Sequence, residues 1–452
     1  MTFKKDFMWG AATASYQIEG STNIDGRGYT IWDDFCSKPG KVLNGDSGEI
    51  ASDSYNRNKE DVSIMKQLGL KAYRFSIAWS RIIPNGYGAI NPAGLEYYRD
   101  FIDLLIENNI EPVVTLYHWD LPYELFKIGG WQNPNISDYF VEYVKEFVSF
   151  MGQRVKYYIT FNEPQCFIGL GHVTGVHAPG TICSRKTVLE MAHNVLLSHG
   201  KAVKAIRELG NEFKVGYAPT SSVYYPATDK KEDIEAAKKA YFDIDTNQEN
   251  YIWNVSWWSD PIILGKYPKK GLEIFKEDLP NINQEDMDTI CQPLDFYCQN
   301  IYNGKAVISD NNGSYKVIEA KKGSPLTSCA WPVTPQVLYW GPKFLYERYK
   351  LPIIISENGM AAHDWISIDG KVHDPNRIDF VHRYLIELKK AYEEGIDIKG
   401  YFLWSLLDNF EWEKGYSQRF GIVYVDYETQ KRIIKDSGFW YKSVITSNGE
   451  FL

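Results

Sequence analysis

The stretch "YYITFNEPQ", residues 157–165, runs through aromatic and β-branched residues and closes on an amide and a carboxylate, Asn162 and Glu163. A second stretch, "LPIIISENG" (351–359), repeats the pattern and ends in Ser356, Glu357 and Asn358. Apolar runs of this length read as buried strands. An unpaired buried carboxylate is costly, so a buried strand that ends in one needs a reason.

Six more runs have strand character: "DFMWGAATAS" (6–15), "AYRFSIAW" (72–79), "EPVVTLYHW" (111–119), "FKVGYAPT" (213–220), "LDFYCQNIY" (294–302) and "IKGYFLWSLLDN" (398–409). With "VKYYITFNEP" (155–164) and "PIIISENG" (352–359) they make eight. Helical periodicity separates several of them. Phe140, Val144, Phe147, Val148 and Met151 share one helix face, with Asn135 or Ser137 as the candidate cap. Leu95, Tyr98, Phe101, Ile102 and Leu105 repeat the pattern, as do Ile378, Val381, Leu385, Leu388 and Tyr392, where Gly395 suits the stop.

Eight strands alternating with helices predict a parallel sheet closed as an α/β (β/α)8 barrel. The chain's 452 residues fit two or three average domains by length, but such barrels run long as one. With no linker or composition break, a single barrel domain over 1–452 with elaborated loops is expected. In this architecture chemistry sits at the C-terminal strand ends. That is where Asn162 with Glu163, Glu357 with Asn358, His118 with Trp119 and Asp120, and Tyr302 fall.

Composition narrows the function. The 58 acidic and 49 basic residues give a net charge of −9, which disfavours nucleic-acid binding. No run approaches the ~20 apolar residues of a membrane span, and the N-terminus lacks a signal-peptide pattern. The six cysteines are scattered with neither a CxxC pair nor zinc spacing, so no metal site is expected and free thiols in a reducing cytoplasm are. The 14 Trp and 32 Tyr serve either a large core or a sugar cleft, where rings stack on apolar sugar faces.

Two carboxylates at one barrel mouth suit glycoside hydrolysis, in which one protonates the leaving oxygen and the other attacks the sugar or activates water. The competing reading pairs each glutamate with a barrel arginine or lysine as structure. Two such glutamates, each beside an asparagine and among aromatic strand ends, favour catalysis.

"TFNEP" (160–164) and "ISENG" (355–359) resemble the two signatures of glycoside hydrolase family 1, the β-glucosidase family. The resemblance continues through "FMWGAATASYQIEG" (7–20), "RFSIAWSRIIPNG" (74–86), "LYHWDLP" (116–122), "GVHAPG" (175–180) and "WSLLDNFEWEKGYSQRFGIVYVD" (404–426), nearly the whole chain. It implies a retaining barrel glycosidase with no cofactor, Glu163 as acid/base and Glu357 as nucleophile. A retaining pair stands about 5–5.5 Å apart. At that range the Glu357 anion keeps Glu163 protonated for the first step, and esterification of Glu357 frees Glu163 to act as base in the second.

The same resemblance assigns support roles. Arg74, Tyr302 and Asn300 would attend the nucleophile. In "Asn300-Ile301-Tyr302" an isoleucine replaces the first of two tyrosines common in the family. Asn162 would hold the sugar 2-hydroxyl. Gln17, His118, Trp119, Trp404, Glu411 and Trp412 would form the sugar subsite, and Trp331 the leaving-group side. Gln165 replaces a common tryptophan, which leaves the aglycone preference open; Cys166 and Cys329 fall at the same entrance, where each reads equally well as packing or function. Glu411 would repel a phosphate dianion, with Lys414 a solvated loop charge, so the expected substrate is an unphosphorylated short β-glucoside such as cellobiose. Side β-galactosidase or β-fucosidase activity is compatible. The alternatives are a 6-phospho-β-glucosidase, a transglycosidase and a non-catalytic sugar-binding barrel. Oligomeric state is not legible.

Overall fold

A computed structural model describes residues 2–244, 251–310 and 312–452. All eight strand-like runs form parallel strands: β1 Met8–Ala12, β2 Ala72–Ser76, β3 Glu111–Tyr117, β4 Tyr157–Asn162, β5 Lys214–Ala218, β6 Tyr297–Asn300, β7 Ile353–Asn358 and β8 Ile398–Trp404. Their order in the sheet is β5-β4-β3-β2-β1-β8-β7-β6. The end strands meet where Asp295 N donates to Val215 O at 2.9 Å and Asn300 N to Pro219 O at 3.1 Å, which brings the sheet round to near closure. The result is an α/β barrel of the (β/α)8 type.

Side-chain alternation divides the core into two layers. Ala12, Ala72, Val113, Ile159, Ile354 and Phe402 belong to a small inner cluster, while a much larger cluster joins the outer strand faces to the helices. The three periodic segments are helices Pro92–Glu107, Ile136–Met151 and Pro375–Glu393. Each turns its apolar stripe inward, where Phe140, Val144, Phe147, Val148 and Met151 are all fully buried.

One capping expectation fails. Asn135 occupies the cap position but makes no side-chain cap bond, because its backbone is already helical at φ −85°, ψ −1° rather than in the extended conformation from which a cap side chain reaches the first-turn N–H groups. Ser137 lies inside the helix and accepts from Lys201 Nζ at 2.8 Å. A small three-stranded sheet, Val223–Pro226, Gly304–Ser309 and Tyr315–Val317, grows from the loops after β5 and β6 and was not anticipated.

Ladder irregularities fall where the chemistry was expected. The β4–β5 register shifts between Ile159 and Asn162, and the β6–β7 register between Ile355 and Glu357. A bulge re-aims the side chains that follow it. Both glutamate-bearing strand ends thereby escape strict alternation and turn toward the barrel mouth. Among the described residues no helix is long and apolar enough to cross a membrane, and all six cysteines are free thiols.

Candidate active site

Glu163 and Glu357 line one cavity of about 440 Å³ at the mouth, a volume typical of small-molecule sites. Glu357 is gripped from two sides. Arg74 Nη1 donates to its Oε1 at 2.6 Å and the Tyr302 hydroxyl to its Oε2 at 2.6 Å. Arg74, only 1% exposed, also donates to Thr115 Oγ1 at 3.1 Å and Asn162 Oδ1 at 2.6 Å, so its guanidinium cannot swing away.

Glu163 sits beside this centre in a different setting. Its backbone is left-handed at φ 44°, a costly conformation for a non-glycine residue. That turn starts a helix, Pro164–His172, and tips the carboxyl into the cavity. Trp119 at φ 76° and Trp412 at φ 49° are strained in the same way, so three of the expected site residues adopt backbone that the surrounding fold must impose.

The partner of Asn300 differs from expectation. Its Nδ2 donates to Glu163 Oε1 at 2.8 Å and to Asn162 Oδ1 at 2.9 Å, so it attends Glu163 rather than Glu357. The reason lies in Ser356, whose hydroxyl donates to Asn300 Oδ1 at 2.6 Å and fixes the amide with its nitrogen toward Glu163.

Electrostatics separates the two carboxyls. Burial pushes Glu357 up to about 7, Arg74 pulls it back, and Glu163 adds to the rise. The cation and the phenol both face Glu357, whereas Glu163 receives an amide N–H and the Cys166 thiol. A single negative charge therefore resides better on Glu357. Burial, together with the charges of Glu357 and Glu163, keeps the Tyr302 phenol protonated as a donor.

Beside the pair lies a polar and aromatic wall. His118 stacks at 22° against both Trp404 and Trp412, with centroids 6.0 and 6.1 Å away. Burial, then Arg74, drives its pKa far down, so the imidazole is neutral. Its Nε2 meets Asn162 Nδ2 at 3.1 Å, while its Nδ1 is buried without a partner. Gln17 stands behind this wall rather than on it: it is fully buried, its Nε2 donates to Phe410 O at 2.9 Å and leans on Glu411 Oε2 at 3.4 Å, and its Oε1 is likewise buried and unpartnered. Of these two orphaned atoms only His118 Nδ1 belongs to a residue on the cavity lining, where a polyhydroxylated ligand would relieve its desolvation cost.

Glu411 and Trp331 also line the cavity, the latter packed on Tyr302 at 5.2 Å. Burial, reinforced by Glu413, Glu357 and Glu163, pushes the Glu411 carboxyl well up. Lys414 keeps to the rim, its side chain 55% exposed and paired with Glu413 at 3.5 Å. Gln165 lies beneath the site rather than in it. It is fully buried and braces the loop after β5 by donating to Thr220 O at 3.0 Å.

Sequence reasoning missed Trp253, Glu413 and His177 on the cavity wall. His177 Nε2 meets Glu413 Oε2 at 2.6 Å. Burial opposes ionisation of Glu413, but the His177 contact outweighs it and holds that carboxyl below the ordinary range. Both residues fall within motifs already quoted, "GVHAPG" and "FEWEKGY", but nothing in either motif pairs them. Trp253 had no signal at all.

A (β/α)8 barrel with paired carboxylates at its mouth, one of them clamped by arginine and tyrosine, has the architecture of a glycoside hydrolase. The sequence profile of glycosyl hydrolase family 1 matches residues 1–450. Among curated relatives, the 1,4-beta-D-glucan glucohydrolase of Thermotoga neapolitana is 46% identical over 448 residues, 99% of each chain. Beta-glucosidase A of Acetivibrio thermocellus is 44% identical over 455 residues, again 99% of each. The solved family 1 β-glucosidase from Thermotoga maritima in complex with isofagomine lactam superposes with a TM-score of 0.90 at 46% identity, covering 99% of both chains. The chain belongs to glycosyl hydrolase family 1.

Proposed function

We propose that this glycoside hydrolase is a retaining exo-β-glucosidase, one catalytic unit over residues 1–452, which removes terminal β-D-glucosyl units from short β-glucosides such as cellobiose. The observation that carries the reading is the clamp on Glu357. A carboxylate held by Arg74 and Tyr302 on the wall that Glu163 shares is oriented to attack rather than to activate water. The relatives' names support a glucoside, and His118, with its orphaned Nδ1, and Glu411 on the same cavity wall support recognition of a terminal sugar by its hydroxyls.

Glu357 bonds to the anomeric carbon as the glycosidic C–O bond breaks, and the Glu163 proton passes to the leaving oxygen. The product is a glycosyl ester on Glu357 and a free alcohol. Glu163, now anionic, takes a proton from water, whose oxygen attacks the anomeric carbon and expels Glu357. Asn162 is the candidate partner of the 2-hydroxyl. Glu413, which His177 holds ionised on the cavity wall that Glu411 shares, disfavours a 6-phosphate there. The six free thiols support residence in a reducing compartment, the cytoplasm.

A mechanism-based 2-fluoroglucoside tests this directly. Intact-mass and peptide analysis should find one added glycosyl unit on Glu357. Active enzyme with no adduct, or an adduct elsewhere, would overturn the assignment. Comparing kcat/KM for an aryl β-glucoside, its 6-phosphate and the galactoside tests the substrate. Preference for the phosphate would refute the reading of Glu411.

A further inference from the structure

Glu163 has one donor on each carboxyl oxygen. Asn300 Nδ2 is 2.8 Å from Oε1 and Cys166 Sγ is 3.0 Å from Oε2. The two are not equivalent. The Asn300 amide is locked, because its Oδ1 accepts from Ser356 and its Nδ2 also serves Asn162. Oε1 therefore always faces an N–H, and the transferable proton belongs on Oε2, the oxygen beside the thiol. A thiol rotor adapts to either state. It donates S–H when Oε2 is anionic and can turn away when Oε2 carries the proton.

The local fold delivers that thiol. The turn in which Cys166 N donates to Glu163 O at 2.9 Å sets the side chains three residues apart over one another. Cys166 is 7% exposed and lines the cavity. Burial, then the Glu163 charge, holds its thiol far above the ordinary range, so it stays a donor and is a poor nucleophile.

We propose that Cys166 is a positioning residue for Glu163, whose S–H bond orients Oε2 and favours the anion that must form between the two halves of the reaction. The proposal rests on Glu163 being the acid/base. The charged and titratable groups that face this pair are Glu357, Tyr302, Arg74 through Asn162, His118, Glu411 and Glu413. All stay in place when only the thiol is changed, so a difference between variants isolates it.

The test is the basic limb of the kcat/KM profile for an aryl β-glucoside, which reports loss of the acid's proton in the free enzyme. In Cys166→Ala the anion loses a donor, Glu163 keeps its proton longer, and the limb should move up by about half to one pH unit. Cys166→Ser retains a donor and should hold the limb at or below its original position. The two variants together separate donation from packing. Equal limbs in wild type, Ala and Ser, or an equal shift in both variants, would overturn the proposal. If Ala does not fold, an upward limb in Ser overturns it and an unmoved or lowered limb supports it. Glu163→Gln serves as the control. If the limb survives there, the acid/base reading itself has failed. If it vanishes there while the cysteine variants leave it unmoved, only the role of Cys166 has.

Discussion

Tyr302→Phe removes a single oxygen and leaves the ring that packs on Trp331 and Phe420. What it takes from Glu357 is a 2.6 Å donor to Oε2. A hydrogen bond to a charged group contributes roughly 1.5–3 kcal/mol. At about 1.4 kcal/mol per pH unit, the loss amounts to about one to two units. The sign follows from the role of the residue. Burial already holds Glu357 up at about 7, with Arg74 and Tyr302 pulling it down. Without the phenol it rises further, and a protonated Glu357 cannot attack. The acidic limb of kcat/KM should therefore move up by about one to two units, and rates below the limb should fall about 10- to 100-fold. Well above it the loss should shrink to the part of the hydrogen bond that is felt only in the transition state. The assay is kcat/KM on an aryl β-glucoside from about pH 4 to about pH 10.5, because that ratio reports the free enzyme. A loss of the same size at every pH, with the acidic limb unmoved, would refute the argument that the phenol sets the charge of Glu357.

Three further perturbations probe other parts of the molecule. Glu411→Ala should lower kcat/KM for the glucoside by about 10- to 100-fold, as expected for the loss of about two sugar hydrogen bonds, and should weaken discrimination against the 6-phosphate; unchanged discrimination would point to another residue. Asp408 is fully buried, pairs with Lys435 at 2.7 Å and Arg419 at 2.7 Å, and accepts from Gly421 N at 3.0 Å, so Asp408→Ala should cost about 3–5 kcal/mol through the charges it leaves behind, seen as a lower thermal midpoint with little change in KM for the protein that remains folded. Gly359→Ala would place a Cβ 1.8 Å from Trp404 O, backbone that cannot yield without shifting the β7 and β8 ends, so activity should fall far more than at an exposed glycine such as Gly313, whose added Cβ meets nothing.

Much of the site was legible because the barrel separates two tasks. Strand ends carry the chemistry, so Glu163, Glu357, Tyr302 and His118 could be found from where apolar runs stop, while Arg74, in mid-strand, and Trp404 came with the family resemblance. What escaped were contacts between loops. Asn300 stands 137 residues from Glu163, and which glutamate it serves depends on the rotamer that Ser356 imposes. His177 and Glu413 are 236 residues apart and meet only because two separate loops converge over Trp412. Cys166 read equally well as packing or function, since a thiol three residues after a glutamate touches it only if the intervening turn closes.

The sequence alone determined the periodicities. Eight apolar runs and the helices between them restrict the chain to one closed parallel architecture, because alternating strands and helices bury their faces in few other ways. The quoted motifs carried the family with them. The tertiary structure decided the charge states and the aim of each donor. Near-closure of the sheet brings Arg74 to Glu357 across 283 residues, and the breaks in register at β4 and β7 turn the two glutamates into the mouth. Hydrogen bonds act over about 3 Å and depend steeply on angle. A one-dimensional pattern names which groups are present, whereas only the folded chain fixes which oxygen each of them reaches.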